Sequence, residues 1–358
     1  MDSRKIIIGI THGDMNGIGY EVILKAMADN RILDICTPII YGSSKIAGFY
    51  KKQLNIQGIN LNIIHSANEA NNKHVNIINC VDDEVKVEPG ISTLEAGKCS
   101  FEALERATND LREGKIDALV TAPINKKNIQ SDEFHFQGHT EYLENKFGEK
   151  NSSLMMLVNN SLRIAVVTGH IPLKDVSSTL TQDLILKKLK VMNHSLIQDF
   201  AIVKPRIAVL SLNPHASDEG LIGNEEEQII IPTLKKADEK GILCFGPYPA
   251  DGFFGSGHFK HFDGILAMYH DQGLIPFKTM SMDNGVNFTA GLPIIRTSPD
   301  HGTAYDLAGK NEASESSLLS AIYLATDIYR NRKFHEEITS NPLQMVETKS
   351  DKRKNNIE

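Results

Sequence analysis

The chain has 358 residues, of which 41% are hydrophobic and 23% charged, with a formal net charge of −7. That length exceeds what one hydrophobic core usually covers, so two domains are expected. The acidic balance argues against an electrostatic nucleic-acid binder, and the composition is that of an ordinary globular protein. No stretch approaches the roughly 20 consecutive apolar residues of a membrane span. Ile6-Ile7-Ile8 is too short for a signal-peptide core. A cytoplasmic location with neither membrane nor nucleic-acid partners is therefore expected. Cys36, Cys80, Cys99 and Cys244 form no CxxC pair, and reduced thiols are their expected state.

Lys5–Ile10 reads as a strand and Gly19–Ala28 as a helix. The glycine-rich turn between them, Gly13-Asp14-Met15-Asn16-Gly17-Ile18-Gly19, can offer amides to an anion or serve as a purely structural turn. It is neither a GxGxxG fingerprint nor a phosphate loop. Pro38–Tyr41, Leu61–Ile64 and Ile77–Cys80 read as strands. Ser92-Thr93-Leu94-Glu95 is a capping-box pattern with Ser92 as N-cap. It opens a helix carrying Phe101, Leu104, Ala107 and Leu111 and closing near Gly114. Ala118–Thr121 is the next strand. His139 and Thr140 then open a helix, as phosphate donors or with Thr140 as an ordinary N-cap. Arg163–Val167, Arg206–Leu212 and Gly264–Tyr269 read as strands, and Gln182–Phe200 and Asn224–Lys240 as helices, the latter divided at Pro232. Residues 340–358 are polar and are expected to be a disordered tail. Strands alternating with helices predict an α/β layered fold with a mostly parallel sheet.

Three of these strands end in a histidine: Thr168-Gly169-His170, Asn213-Pro214-His215 and His270-Asp271. Ligands bind beyond the carboxyl ends of strands in open α/β sheets, and three imidazoles with an open position form a catalytic metal site. The competing reading is three separate caps or satisfied polar residues. Further on, Arg296 follows the apolar run Leu292–Ile295. A buried arginine there needs either a ligand anion or an internal carboxylate.

Several motifs together resemble one family: Gly13-Asp14 with Gly17-Ile18-Gly19, Thr121-Ala122-Pro123-Ile124-Asn125-Lys126, Gly138-His139-Thr140-Glu141, His170-Ile171-Pro172-Leu173 and Leu212-Asn213-Pro214-His215-Ala216. Gly246-Pro247-Tyr248-Pro249-Ala250-Asp251, Ala267-Met268-Tyr269-His270-Asp271-Gln272-Gly273, Gly285-Val286-Asn287 and Asp300-His301-Gly302-Thr303-Ala304 continue the pattern. The family is the 4-hydroxythreonine-4-phosphate dehydrogenases of vitamin B6 biosynthesis, and the similarity runs over residues 6–329. Met15-Asn16, Gly169 and Ser217-Asp218-Glu219 depart from its usual residues.

The resemblance implies an isocitrate/isopropylmalate-dehydrogenase-like fold: two α/β/α domains with the active site in the cleft between them. One would comprise residues 1–127 plus about 285–338, the other residues 128–284 with the metal ligands and dimer interface. It implies metal ligands His170, His215 and His270, the last supplied by the partner of a homodimer. It implies substrate contacts from His139, Thr140, Lys278, Asn287 and Arg296. His301, Gly302, Thr303, Ala304 and Asp306 would hold NAD or NADP, and Lys278 or Asp251 would be the catalytic base. Zinc, cobalt or magnesium is the implied metal, and three imidazoles favour the first two. Sister groups oxidise threonate or erythronate 4-phosphate. A phosphotransacetylase-like acyltransferase is the alternative from another class.

Overall fold

The structure, a computed structural model, describes residues 4–82, 84–148, 153–281 and 283–341, so the expected tail lies outside the described residues from 342 onward. The first elements are β1 (Ile6–Thr11), α1 (Gly19–Ala28), α2 (Ile32–Ile35), β2 (Cys36–Gly42), α3 (Ser44–Gln53), β3 (Leu61–Ile64), β4 (Val75–Asn79), α4 (Leu94–Arg112) and β5 (Ala118–Thr121). Next come α5 (His139–Phe147), β6 (Leu154–Val158), β7 (Arg163–Val166), α6 (Val176–Thr179), α7 (Gln182–Gln198), β8 (Ile207–Leu210), α8 (Ile231–Asp238) and β9 (Cys244–Tyr248). The last are α9 (Ala250–Gly255), β10 (Gly264–Ala267), α10 (His270–Met280), β11 (Val286–Ala290), β12 (Arg296–Pro299) and α11 (Ser316–Thr339).

These strands form one sheet in the order β3-β4-β2-β1-β5-β12-β11-β6-β7-β10-β8-β9. The wing from β3 to β12 is parallel, as is the wing from β7 to β9. Between them β11 runs antiparallel to both β12 and β6, and β6 antiparallel to β7. The expected α/β layering and mostly parallel sheet are found. Among the described residues no helix is long and apolar enough to cross a membrane.

Side chains alternate between faces along a strand, and the two faces differ. One carries a single apolar core across the whole width, from Ile8 and Ile10 through Phe288 and Met156 to Val209 and Leu266. The other carries two separate cores. The first gathers Tyr41, Leu119 and Tyr142, and the second Ile164, Ala208, Ile265 and Phe277. Register pairs Asn287 with both Ser298 and Leu157, so these three share the divided face. There the central strands are partly polar, and the gap between the two cores is where a cavity opens.

One local reading is corrected and another is met. The N-cap of α4 is Thr93, whose hydroxyl accepts the Ala96 amide, whereas Ser92 accepts side-chain amides of Asn125 and Asn128. Ser92 is drawn into tertiary contacts, and the helix starts one residue later than the capping-box spacing implies. The break expected at Pro232 is found: the helix just before it, over Glu226–Ile230, is a π-helical turn that runs into α8, with Pro232 in the first turn of α8.

The turn after β1 is structural. Asp14 is fully buried, and its carboxylate accepts the Asn16 amide (2.9 Å), the Asn128 side-chain amide (2.8 Å) and the Tyr305 hydroxyl (2.7 Å). The backbone amides of Asp14 and Ile18 go to the carbonyls of Pro123 and Thr303. Gly13 is required here, with φ +70° and a hypothetical Cβ only 2.2 Å from the Pro123 oxygen. One carboxylate thus ties β1 to the segment after β5 and to the loop before α11.

Two outcomes are expected from this arrangement. Asp14→Ala strands two buried donors and should lower stability by about 2–4 kcal/mol in urea unfolding; a loss under about 1 kcal/mol would mean that water replaces the carboxylate. His12 is fully buried and stacked on Tyr20 at 5.0 Å, and burial pulls its pKa down to about 4 from the usual 6.5. Folded His12 stays neutral where the unfolded chain takes up a proton. Its contribution to stability is therefore intact above about pH 6.5 and is lost as pH falls toward 4, by as much as about 3 kcal/mol. Unfolding midpoints measured across that window should fall less steeply for His12→Gln than for the wild type.

Candidate active site

A cavity of about 700 Å³ lies on the divided face of the sheet. The central strands supply its floor through Thr121, Arg296, Ser298, Asn287, Met155 and Leu157. Helix α10 supplies one wall with His270, Leu274 and Lys278, spaced four apart and so stacked on one helix face. The start of α5 supplies another with His139, Thr140 and Glu141, and the segment after β12 brings Asp300, His301 and Gly302.

Arg296 decides what this cavity attracts. Its side chain begins β12 in the middle of the sheet and is only 3% exposed. No carboxylate pairs with it among the described residues. Its three hydrogen bonds all go to hydroxyls, two to Thr121 (3.1 and 2.7 Å) and one to Thr289 (3.3 Å). Burial lowers its pKa to about 10, opposed by Glu141, so the charge persists at neutral pH. Of the two readings open for Arg296, an internal salt bridge is excluded among the described residues, and an anion from outside remains.

The surroundings suit an anion. Helix α5 starts at His139, and its N-cap, Gly138, makes no side-chain cap bond, so Thr140 is not the cap; Gly138, His139, Thr140 and Glu141 all border the cavity. His139 is buried. Desolvation and the nearby charges of Arg296 and Lys126 hold its pKa well below the usual range, so the ring is neutral. Among the described residues its Nε2 has no hydrogen-bond partner, nor have Asn287 Oδ1 and His301 Nε2. Buried polar atoms without partners, all on residues bordering one cavity, imply a ligand that completes them. Lys278 lies 3.4 Å from Asp300, whose carboxyl is raised by burial against the opposing pull of Lys278.

The three strand-end histidines are placed unequally. β10 pairs parallel with β7 on one side and β8 on the other, so His170, His270 and His215 do follow three neighbouring strands at the same sheet edge. The rings of His170 and His270 are 5.6 Å apart and both border the cavity. Asp271 lies 2.7 Å from His270 Nδ1, and Glu141 3.7 Å from His170 Nδ1. His215 is exposed, does not border the cavity, and sits in a left-handed turn with φ of 53°, 52°, 70°, 47° and 56° at residues 215–219. Among the described residues no three His, Cys, Asp or Glu side chains of this one chain could hold a metal together. The donors present, two imidazoles with a carboxylate behind one of them, fit a borderline divalent ion such as zinc or cobalt.

Asp251 is exposed in the first turn of α9 and lies off the cavity, leaving Lys278 as the candidate base that borders it. His301 and Gly302 border the cavity, whereas Thr303, Ala304 and Asp306 do not; the Thr303 carbonyl is engaged by Ile18. A nicotinamide end near His301, with its unpartnered Nε2, fits these residues. Sequence reasoning passed over Thr121, Lys126, Glu141, Asp271 and Asp300 as site residues. All five lie inside motifs already singled out, and their polar character in otherwise apolar or glycine-rich stretches was the available signal.

Comparison with known proteins gives this geometry a context. The family described as pyridoxal phosphate biosynthetic protein PdxA matches residues 34–325. The chain is 57% identical over 344 residues to a 4-hydroxythreonine-4-phosphate dehydrogenase of Bacteroides thetaiotaomicron, covering 96% of this chain and 94% of that one. It is 39% identical to a D-threonate 4-phosphate dehydrogenase of Cupriavidus necator, covering 91% and 98%. Its fold matches the crystal structure of 4-hydroxythreonine-4-phosphate dehydrogenase from Klebsiella pneumoniae with TM-score 0.79 and 34% identity, over 92% of this chain and 99% of that one. At the level of fold alone it is similar to isocitrate dehydrogenase from Methylococcus capsulatus, with TM-score 0.50 and 10% identity over 94% and 89%. The expected isocitrate-dehydrogenase-like α/β architecture is thus found, and the chain belongs to the PdxA family of dehydrogenases.

Proposed function

We propose that the chain oxidises 4-phosphooxy-L-threonine (4-hydroxythreonine 4-phosphate) with NAD or NADP and a divalent metal, in pyridoxal 5'-phosphate biosynthesis. The product is 2-amino-3-oxo-4-phosphooxybutanoate, a β-keto acid that loses carbon dioxide to give 3-amino-2-oxopropyl phosphate. The observation that carries this reading is the buried, carboxylate-free Arg296 on one side of a cavity that holds paired histidines on the other.

In this reading Arg296, neutral His139, Thr140, Asn287 and the opening amides of α5 hold the phosphate end. His170 and His270, completed by His215, hold a divalent metal, which would acidify and orient the C3 hydroxyl when bound. The division expected from the resemblance, His170 and His215 from one subunit and His270 from its partner, would bring the three to a common ion across a homodimer. Leu173 and Leu221, 73% and 81% exposed on the loops that carry His170 and His215, are the apolar surface such a partner would cover. Lys278, beside Asp300, would take up the hydroxyl proton when neutral, and His301 and Gly302, with Thr303, Ala304 and Asp306 further along, would hold the nicotinamide cofactor, which supplies the hydride acceptor when bound. Asp251 joins the site only if a partner subunit brings it there. The two domains would be residues 1–127 with about 285–338, and residues 128–284, in a cytoplasmic enzyme. Oxidation of D-threonate 4-phosphate is the second reading, favoured by the 39% identical relative.

Chelator-treated protein should show no NAD(P) reduction with 4-phosphooxy-L-threonine and regain it with zinc, cobalt or magnesium. Turnover only on threonate or erythronate 4-phosphate would move the protein to the second reading, and silence on all substrates would refute the dehydrogenase assignment. Arg296→Ala should raise KM for the phosphorylated substrate about 10- to 100-fold through loss of a charge-assisted contact; an unchanged KM would show that the arginine is structural.

A further inference from the structure

The Thr121–Lys126 motif contributes a residue to which the reading above gives no role. Thr121 closes β5 and borders the cavity, yet its hydroxyl oxygen is occupied by Arg296, accepting from both Nε and Nη2. On the other flank Thr289 of β11 accepts from Nη1. Both threonines are fully covered from solvent, Thr121 at 0% and Thr289 at 0% exposure. The register explains how they meet the arginine. β12 pairs Arg296 with Leu119 of β5, two residues before Thr121 and so on its face, and the β11 register brings Thr289 opposite Arg296. The guanidinium is therefore gripped from both neighbouring strands, and its orientation is set by the sheet rather than by a loop.

The chemistry of the grip matters as much as its geometry. A carboxylate in either place would satisfy the same N–H groups, but it would also neutralise the cation and repel an incoming anion. A hydroxyl accepts without charge. Guanidinium has about five N–H donors; three are engaged by the threonines, so two stay available with the charge undiminished. Thr121 accepts twice and keeps its own O–H proton for donation. The β-branched side chain restricts the rotamers that could swing the oxygen away.

From this we infer that Thr121 and Thr289 are positioning residues for anion recognition. They form a neutral hydroxyl cradle that aims Arg296 into the cavity while leaving its charge for a phosphate-class anion. The inference rests on the proposal that Arg296 binds the substrate's phosphate.

The test compares Thr121→Val, which keeps shape and loses the hydroxyl, with Thr121→Ser, which keeps the hydroxyl, in the metal-loaded enzyme. For Thr121→Val, KM for the phosphorylated substrate should rise about tenfold, well beyond any fall in kcat. The thermal stabilisation given by inorganic phosphate alone should shrink in parallel, a readout that needs no turnover. Thr121→Ser should restore both. A valine variant with wild-type KM and phosphate response, or a serine variant as impaired as the valine, overturns the inference. Should Thr121→Val fail to fold, Thr289→Val carries the same expectations and the same refutation. The Arg296→Ala variant separates the two levels: no change in its KM or phosphate response removes the underlying reading, whereas a large change there with none in the threonine variants removes only the cradle.

Discussion

Taking a guanidinium out of water is expensive, and a protein normally recovers the cost by pairing it with a carboxylate in the same low-dielectric surroundings. Among the described residues, Arg296 is buried in a central strand of a twelve-stranded sheet with only hydroxyls for partners. Much of the surrounding architecture follows from accommodating it. The apolar core on that face stops on either side and leaves a polar gap. A helix begins at the gap with uncapped amides, and a neutral buried histidine, rather than a second cation, stands beside the arginine. The unbroken core on the opposite face makes this tolerable, because it holds the strands in register under a site that contributes little apolar burial of its own.

Much of the sheet was legible from sequence because most strands of the two wings are short apolar runs bounded by turn residues. β1, β3, β5, β7, β8 and β10 fall close to where those runs predict. The centre was not legible. β12 is Arg-Thr-Ser-Pro, a composition that reads as a loop, and it is a strand only because β5 and β11 supply ladders on either side and α11 accepts the Thr297 hydroxyl at its Ala321 carbonyl. Here tertiary context overrides local preference. The shift of the α4 cap from Ser92 to Thr93 has the same origin, since tertiary partners claimed the residue that spacing favoured.

The candidate site was legible where a residue carries an intrinsic cost or an unusual position. Arg296 declared itself by needing an anion, and the histidines by following strands that proved to be neighbours. Thr121 did not, because a threonine ending a strand is ordinary in sequence and becomes informative only beside the guanidinium. Nor could one chain's sequence reveal that His215 would stand apart from the other two imidazoles, a separation set by the left-handed turn that carries it.

The sheet also acts as a ruler. Arg296 belongs to β12, and His170 follows β7, three strands away in the sheet order. Adjacent strands are spaced by about 4.8 Å, which hydrogen bonding fixes to within a few tenths of an ångström. The two ends of the cavity are therefore about 14 Å apart at the backbone, less the reach of the side chains that lean inward from each. A length defined by strand pitch cannot be tuned gradually, as a loop can. For a ligand held at both ends, a chain one carbon longer or shorter would be met by changing the side chains at the ends, while the strand spacing sets the span they reach across.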